Sequence, residues 1–237
     1  MKKIYSSSYN NLKIWDVASG TCTKTLTEFA YYNGTRVIDL SPDGSILATG
    51  LYNGSIFLLR ENDGLKIEEY NCMFWVLVVL FSLDNRYLFT AGLSNNIFVI
   101  DRINIFNNKV IVVNCSLIIS LAITEGSEFL LVGCGQDNYY PIIILDIKNN
   151  LNVVRVLISH KSVILDMSLS QNDTLLASAS TNEIKIWNLT TGSLLKALTD
   201  LFNFPSVRFF PVGKYLVSGL IINFFIFRQI NLKYTQT

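Results

Sequence analysis

Few residues in this chain have the type and spacing to do chemistry. His160 is the only histidine. Alone, an imidazole can serve as a general base or a metal ligand. A catalytic constellation also needs a nucleophile or acid in register with it, and no Ser/His/Asp set is repeated along the chain. Asp39 and Asp166 are the nearest candidates for acids aimed at a shared centre, but they stand at different distances from the serines that follow them, Ser41 and Ser170. Cys22, Cys72, Cys115 and Cys134 lie far apart with no Cys-x-x-Cys pair, so they read as free thiols and not as zinc ligands. No glycine-rich phosphate loop is present. These residues predict no metal, no cofactor and no enzyme activity.

Composition narrows the partners. The 237 residues carry 19 basic and 18 acidic side chains, a net charge of +1. Neutralising phosphates needs a basic stripe, so nucleic acid is not an expected partner. Half of the residues are hydrophobic and 16% are charged. A membrane helix needs about 18 uninterrupted apolar residues. The uncharged stretches 110–124 and 215–227 both contain polar residues and read as buried strands joined by turns. Met1-Lys2-Lys3-Ile4 is followed by polar residues where a signal peptide needs an apolar block, which points to the cytoplasm, with the nucleus as alternative.

The elements that position these residues are legible from a repeat. Five turns share a pattern: Leu40-Ser-Pro-Asp-Gly-Ser45, Phe81-Ser-Leu-Asp-Asn-Arg86, Ile123-Thr-Glu-Gly-Ser-Glu128, Leu169-Ser-Gln-Asn-Asp-Thr174 and Phe209-Phe-Pro-Val-Gly-Lys214. Their second residues are spaced by 41, 42, 46 and 40 positions. Each turn is preceded by an apolar strand and followed by a short strand at 46–50, 87–92, 129–133, 175–178 and 215–219. A third strand then falls at 55–60, 96–101, 141–146, 183–188 and 223–228, and a polar turn leads to a fourth. A period of about 40–45 residues with four strands per unit fits a propeller blade, whose two apolar faces are covered by its neighbours. The expected fold is all-β: a β-propeller of four-stranded antiparallel blades, in one domain over 1–237. A partial blade at 2–26 precedes blades at about 34–70, 75–114, 117–157, 160–199 and 203–234. This total is one or two strands short of six full blades, so the ring is expected to be incomplete or open unless another chain completes it.

With the repeat established, the sequence resembles the WD-repeat family over nearly its whole length. The best copy has Ser159-His160 for the Gly-His pair, then Leu169-Ser170, Leu176-Ala-Ser-Ala-Ser180 and Ile184-Lys-Ile-Trp-Asn188. Leu12-Lys-Ile-Trp-Asp16 and Leu40-Ser-Pro-Asp-Gly44 match nearly as well, while Leu59, Ile100, Leu145 and Phe227 stand at the Trp position of other copies. The resemblance implies structural roles for His160, Ser178, Trp187 and Trp15. His160 would bond the strand serine and, through a turn acid, tie the outer strand to its blade. Thr181 or Asn182 stands where that acid is usual, so the network is expected to be weakened.

The resemblance also implies that first-strand positions line a rim: Gly34 and Arg36, Trp75 and Leu77, Leu117 and Ile119, Val163 and Leu165, Asn203 and Pro205. Trp and Arg are frequent interface anchors. Tyr139 and Tyr140 lie in a turn, Gly135-Gln-Asp-Asn-Tyr-Tyr-Pro141, about three residues longer than its counterparts. Partner-binding candidates are therefore Arg36, Trp75, Tyr52, Tyr139 and Tyr140, with core packing as the competing role of Trp75. The implied function is a non-catalytic protein–protein interaction scaffold, a subunit or fragment of a larger WD-repeat protein or complex. A phosphoinositide- or membrane-binding propeller is an alternative, weakened because Phe227-Arg-Gln-Ile230 lacks the second Arg and the Gly of that family's Phe-Arg-Arg-Gly motif. A degenerate, non-functional repeat fragment is another. A small-molecule substrate has no residue to support it.

Overall fold

Antiparallel pairing with turns of a few residues forces consecutive strands to lie side by side, and every sheet follows that rule. The computed structural model describes residues 2–8, 11–27, 35–135, 139–199, 206–210, 215–219 and 225–229. Its strands gather into two compact units, residues 1–118 and 119–237. The first unit holds a three-stranded sheet, β1 (Lys3–Ser7), β2 (Leu12–Asp16) and β3 (Cys22–Leu26). Two four-stranded sheets follow, β4 (Thr35–Leu40) to β7 (Lys66–Asn71) through β5 (Ile46–Leu51) and β6 (Ser55–Arg60), then β8 (Val76–Phe81) to β11 (Lys109–Val112) through β9 (Tyr87–Gly92) and β10 (Asn96–Asp101). The second unit begins inside β12 (Leu117–Ile123), which heads a sheet with β13 (Phe129–Gly135), β14 (Ile142–Asp146) and β15 (Asn152–Leu157). Next come β16 (Ile164–Leu169), β17 (Leu175–Ser180), β18 (Ile184–Asn188) and β19 (Leu194–Leu198). The last sheet has β20 (Ser206–Phe209), β21 (Tyr215–Gly219) and β22 (Phe225–Gln229).

The third strands read as apolar runs because both of their faces are covered. On β6, Phe57 and Leu59 pack with Leu12, Ile14 and Leu26 of the first sheet, while Ile56 and Leu58 pack with Val76, Phe81 and Leu88 of the third. The second unit repeats the arrangement. Ile142 and Ile144 meet Met167, Leu176 and Trp187, and on the far side Ile184 and Ile186 meet Val207 and Leu216. Each fully covered Leu or Ile contributes about 1.5–3 kcal/mol, so the sheet-to-sheet seams are the core. Fourth strands such as β7 and β19 are largely exposed and correspondingly polar or mixed.

The recurring Ser-x-Asp/Asn of the turns has a direct physical role. Ser41 Oγ donates to Asp43 Oδ1 (2.6 Å) and accepts from the Ile46 N–H (2.9 Å). Ser82 does the same with Asp84 (2.5 Å) and the Tyr87 N–H (2.7 Å), and Ser170 with Asn172 (2.9 Å) and the Leu175 N–H (3.0 Å). Thr124 accepts from the Phe129 N–H (2.9 Å). These hydroxyls are buried, so the turn must satisfy them internally. The turns also clasp their neighbours: Asn85 Oδ1 accepts from the Asp43 N–H, and Asp173 Oδ2 from the Glu125 N–H.

First strands carry a β-bulge between Thr35 and Val37, Val76 and Val78, and Ile164 and Asp166. The unpaired residues are Arg36, Leu77 and Leu165, three of the rim positions read from the sequence. A bulge re-aims its side chain and sharpens the twist. At the end of β9, Gly92 passes so close to the backbone of Trp75 that a Cβ would lie 1.7 Å from the Trp75 carbonyl oxygen. No other residue fits there.

Where the repeat is worn, a polar group is stranded. Thr49 Oγ1 donates to the Val37 carbonyl (3.2 Å), whereas Thr90, at the same place in the next sheet, is fully buried with no hydrogen-bond partner among the described residues. Ile100 lies where a tryptophan would donate to it. Replacing Thr90 with Val should therefore raise stability by about 1 kcal/mol, while Thr49→Val should lower it by about 1 kcal/mol. Urea unfolding followed by tryptophan fluorescence reads both, and equal losses would refute this account of Thr90.

Candidate functional site

The sharpest polar constellation surrounds His160. Trp187 Nε1 can only donate, and it reaches Ser178 Oγ at 2.9 Å. Ser178 Oγ lies 2.5 Å from His160 Nε2, and His160 Nδ1 lies 3.0 Å from Glu183 Oε1. Since an ionised carboxylate can only accept, Nδ1 carries the proton and Ser178 donates to Nε2. The chain Trp187 → Ser178 → His160 → Glu183 is complete with a neutral imidazole. Glu183 Oε1 also takes Lys185 Nζ at 2.9 Å and the Lys161 N–H at 3.2 Å. Burial pushes the Glu183 carboxyl up, but the Lys185 hydrogen bond and the Lys161 N–H hold it below its ordinary range. For His160, burial first and then the Lys185 charge lower the pKa from 6.5 to about 4.

The acid of this network is Glu183, where the sequence pointed to an empty place at Thr181 or Asn182. The missed signal was strand register. The third strand starts at Ile184, so Glu183 belongs to the turn, beside Thr181, whose Oγ1 donates to Ser162 Oγ at 2.7 Å. Trp15 has a reduced version of the same arrangement, its Nε1 donating to Ser6 Oγ at 2.9 Å.

Asp39 and Asp166 each hold a neighbouring first strand. Asp39 Oδ2 accepts from the Phe81 N–H at 2.8 Å, and burial pushes its carboxyl up to about 6. Asp166 Oδ2 accepts from Ser206 Oγ and the Val207 N–H, both at 2.9 Å, and pairs with Arg208 Nη1. Cys22 is exposed, Cys72 half-buried, and Cys115 and Cys134 buried. Among the described residues, no group of three His, Cys, Asp or Glu side chains stands together as a metal site, and no helix is long and apolar enough to cross a membrane.

Two of the partner-binding candidates meet. Trp75 is 54% exposed just before β8, and its ring stands edge-on to Tyr52 with centroids 5.6 Å apart at 90°. The turn holding Tyr52 is fixed to the connection before Trp75, with the Cys72 N–H bonded to the Gly54 carbonyl at 3.0 Å. The Leu93 N–H bonds the Trp75 carbonyl at 3.1 Å, which brings a 45%-exposed leucine to the same place. Met73, two residues before Trp75, is 93% exposed at φ 63°, an exposed apolar residue that sequence reading did not single out. Met73 and Leu93 lie in turns, where periodicity says nothing about exposure. In the other unit Tyr139 is exposed and Tyr140 half-buried. The Arg36 side chain, Gly34, Asn203, Pro205 and residues 136–138 lie outside the described residues and side chains.

Blade-like sheets stacked face to face, together with the Trp–Ser–His–acid chain, define a repeat protein of the propeller class. The comparisons agree. Residues 151–188 match the family model "WD domain, G-beta repeat". A 99-residue stretch is 28% identical to the small ribosomal subunit protein RACK1 of Neurospora crassa, covering 41% of this chain and 30% of that protein. Among solved structures, Kuenenia stuttgartiensis hydrazine synthase shares the fold with a TM-score of 0.70 at 18% identity, over 78% of this chain and 55% of that one. The matched part thus spans under a third of the curated relative. The chain carries a match to the WD repeat at residues 151–188, and its sheets have the β-propeller type of fold.

Because His160 stays neutral in the folded state but titrates near 6.5 once exposed, its contribution to stability is fully present above pH 6.5. That contribution is lost as pH falls toward 4. The expected loss between pH 7 and 4.5 is roughly 2 kcal/mol, and His160→Gln should flatten that part of the profile. Urea unfolding at several pH values reads the slope; an unchanged slope in the variant would contradict a neutral buried imidazole.

Proposed function

We propose that this WD-repeat chain is a non-catalytic interaction scaffold, a subunit or part of a larger assembly, that holds partner proteins through the Tyr52–Met73–Trp75–Leu93 patch. The observation that carries the reading is Trp75: a half-exposed indole with the Tyr52 ring edge-on to it, in a stretch where Met73 and Leu93 are also exposed. Aromatic anchors of this kind dominate interface energetics, while rigid positioning lowers the entropy lost on binding. The relative named as a ribosomal subunit protein supports a role as one component among several.

Catalysis is disfavoured on physical grounds. Ser178, His160 and Glu183 have the order of an acyl-transfer triad. But Ser178 is fully buried, its oxygen occupied by Trp187, and no substrate carbonyl can reach it. The three side chains instead tie a turn to its sheet.

Affinity capture from cells with the intact chain and its Trp75→Ala variant tests the proposal. Loss of the indole should reduce recovery of the main partners by about tenfold or more, with the melting temperature nearly unchanged because the ring is half exposed. Tyr139→Ala provides a comparison elsewhere on the surface. Undiminished recovery with Trp75→Ala would remove this patch as the binding surface.

A further inference from the structure

The second unit has a cleft of about 330 Å³ at the turn end of the sheets β12–β15 and β16–β19. This is near the small end of the range for ligand clefts, about 300–1,000 Å³. Its walls are apolar: Phe129, Ile144, Val154 and Leu189. Val154 is 52% exposed, so part of this surface has no covering from its own chain. Charged groups at the cleft are Glu128, Arg155 and Asp173. Arg155 is already engaged, its Nη1 donating to the Leu189 carbonyl (2.8 Å) and the Thr190 carbonyl (3.0 Å). Gly192 makes room for this clamp, since a Cβ there would lie 2.8 Å from Arg155 Cδ.

The acids are less fully committed. Among the described residues Glu128 pairs with Lys148, and both side chains are more than half exposed, so the pair exchanges readily with another cation. Asp173 Oδ2 takes the Glu125 N–H at 2.6 Å, and among the described residues Oδ1 has no recorded donor. Burial pushes the Asp173 carboxyl up; the Glu125 N–H bond partly offsets this and the Glu125 charge adds a smaller push, so an approaching cation would relieve it.

We infer that this cleft docks an extended peptide, seating one aliphatic or aromatic side chain on the apolar walls and a neighbouring lysine or arginine against Asp173 and Glu128. Apolar walls beside two carboxylates, Glu128 held only by an exposed, exchangeable lysine and Asp173 by a backbone N–H, are complementary to that pair of side chains. The cleft is independent of the Trp75 patch, so each can fail without the other.

Fluorescence anisotropy on the intact chain, with fluorescein-labelled Gly-Ser-Leu-Lys-Ser-Gly, tests the inference. Comparison peptides carry Glu for the Lys or Ser for the Leu. The Leu-Lys peptide should bind about tenfold tighter than either. Asp173→Asn keeps an acceptor for the Glu125 N–H, so it should leave folding intact while removing most of the preference for Lys over Glu. Val154→Glu, at an exposed position, should weaken binding of the Leu-Lys and Leu-Glu peptides about fivefold or more. Trp75→Ala should change nothing. Equal affinity for all three peptides would overturn the inference, as would binding that survives both cleft variants or is lost with Trp75→Ala. Hexylamine offers the same apolar and cationic ends without a backbone; if it competes as well as unlabelled peptide, the cleft is a small-ligand site and the peptide assignment fails.

Discussion

A strand with Ile, Leu, Val or Phe on both faces cannot rest against water on either side. That constraint governs each half of this chain. Phe57 and Leu59 turn one way from β6, and Ile56 and Leu58 the other, all essentially inaccessible to solvent. A sheet of this kind is folded only when a neighbour covers it, and the neighbour needs the same service in return. Hydrogen bonds then fix the spacing of the stack. Asp39 reaches the Phe81 amide, Ser168 the Phe209 amide, and Asp173 the Glu125 amide.

Much of this was legible in the sequence because the physics repeats. A buried hydroxyl must find partners within its own turn, so Ser41, Ser82 and Ser170 recur with Asp or Asn two residues on. The intervals between them exposed the blades. The family resemblance, and not the repeat by itself, implied a Trp–Ser–His chain, and Trp187, Ser178 and His160 are hydrogen-bonded in that order. It failed at Glu183, since a glutamate that reaches back from the turn is indistinguishable in sequence from one that opens the strand. It also gave no warning of Thr90, which among the described residues lacks the bond to the first strand that Thr49 makes, although neither has a tryptophan across from it. The bulges were invisible too, although they are what sets Arg36, Leu77 and Leu165 apart within the first strands.

The same constraint explains where function can reside. Interior faces are committed to stacking, and polar residues among them, Thr90 apart, are committed to one another or to backbone groups, as in the His160 network. Recognition is left to turns and to the ends of sheets. Met73, Trp75 and Leu93 are set there by backbone geometry: a left-handed residue, a bulged strand start and a glycine that permits close approach. Periodicity marks Trp75 as the residue before a strand, and only three dimensions place Tyr52 against it.

Mutual shielding of neighbouring sheets is tested most directly by hydrogen–deuterium exchange on a Leu176→Ala variant. Leu176 lies on β17 and packs against residues of the β12–β15 sheet. Truncating it should cost about 2–5 kcal/mol and speed amide exchange in β13 and β14 as well as in β17 and β18. If exchange accelerates only in the β16–β19 sheet, the sheets are independently stable and the account is wrong.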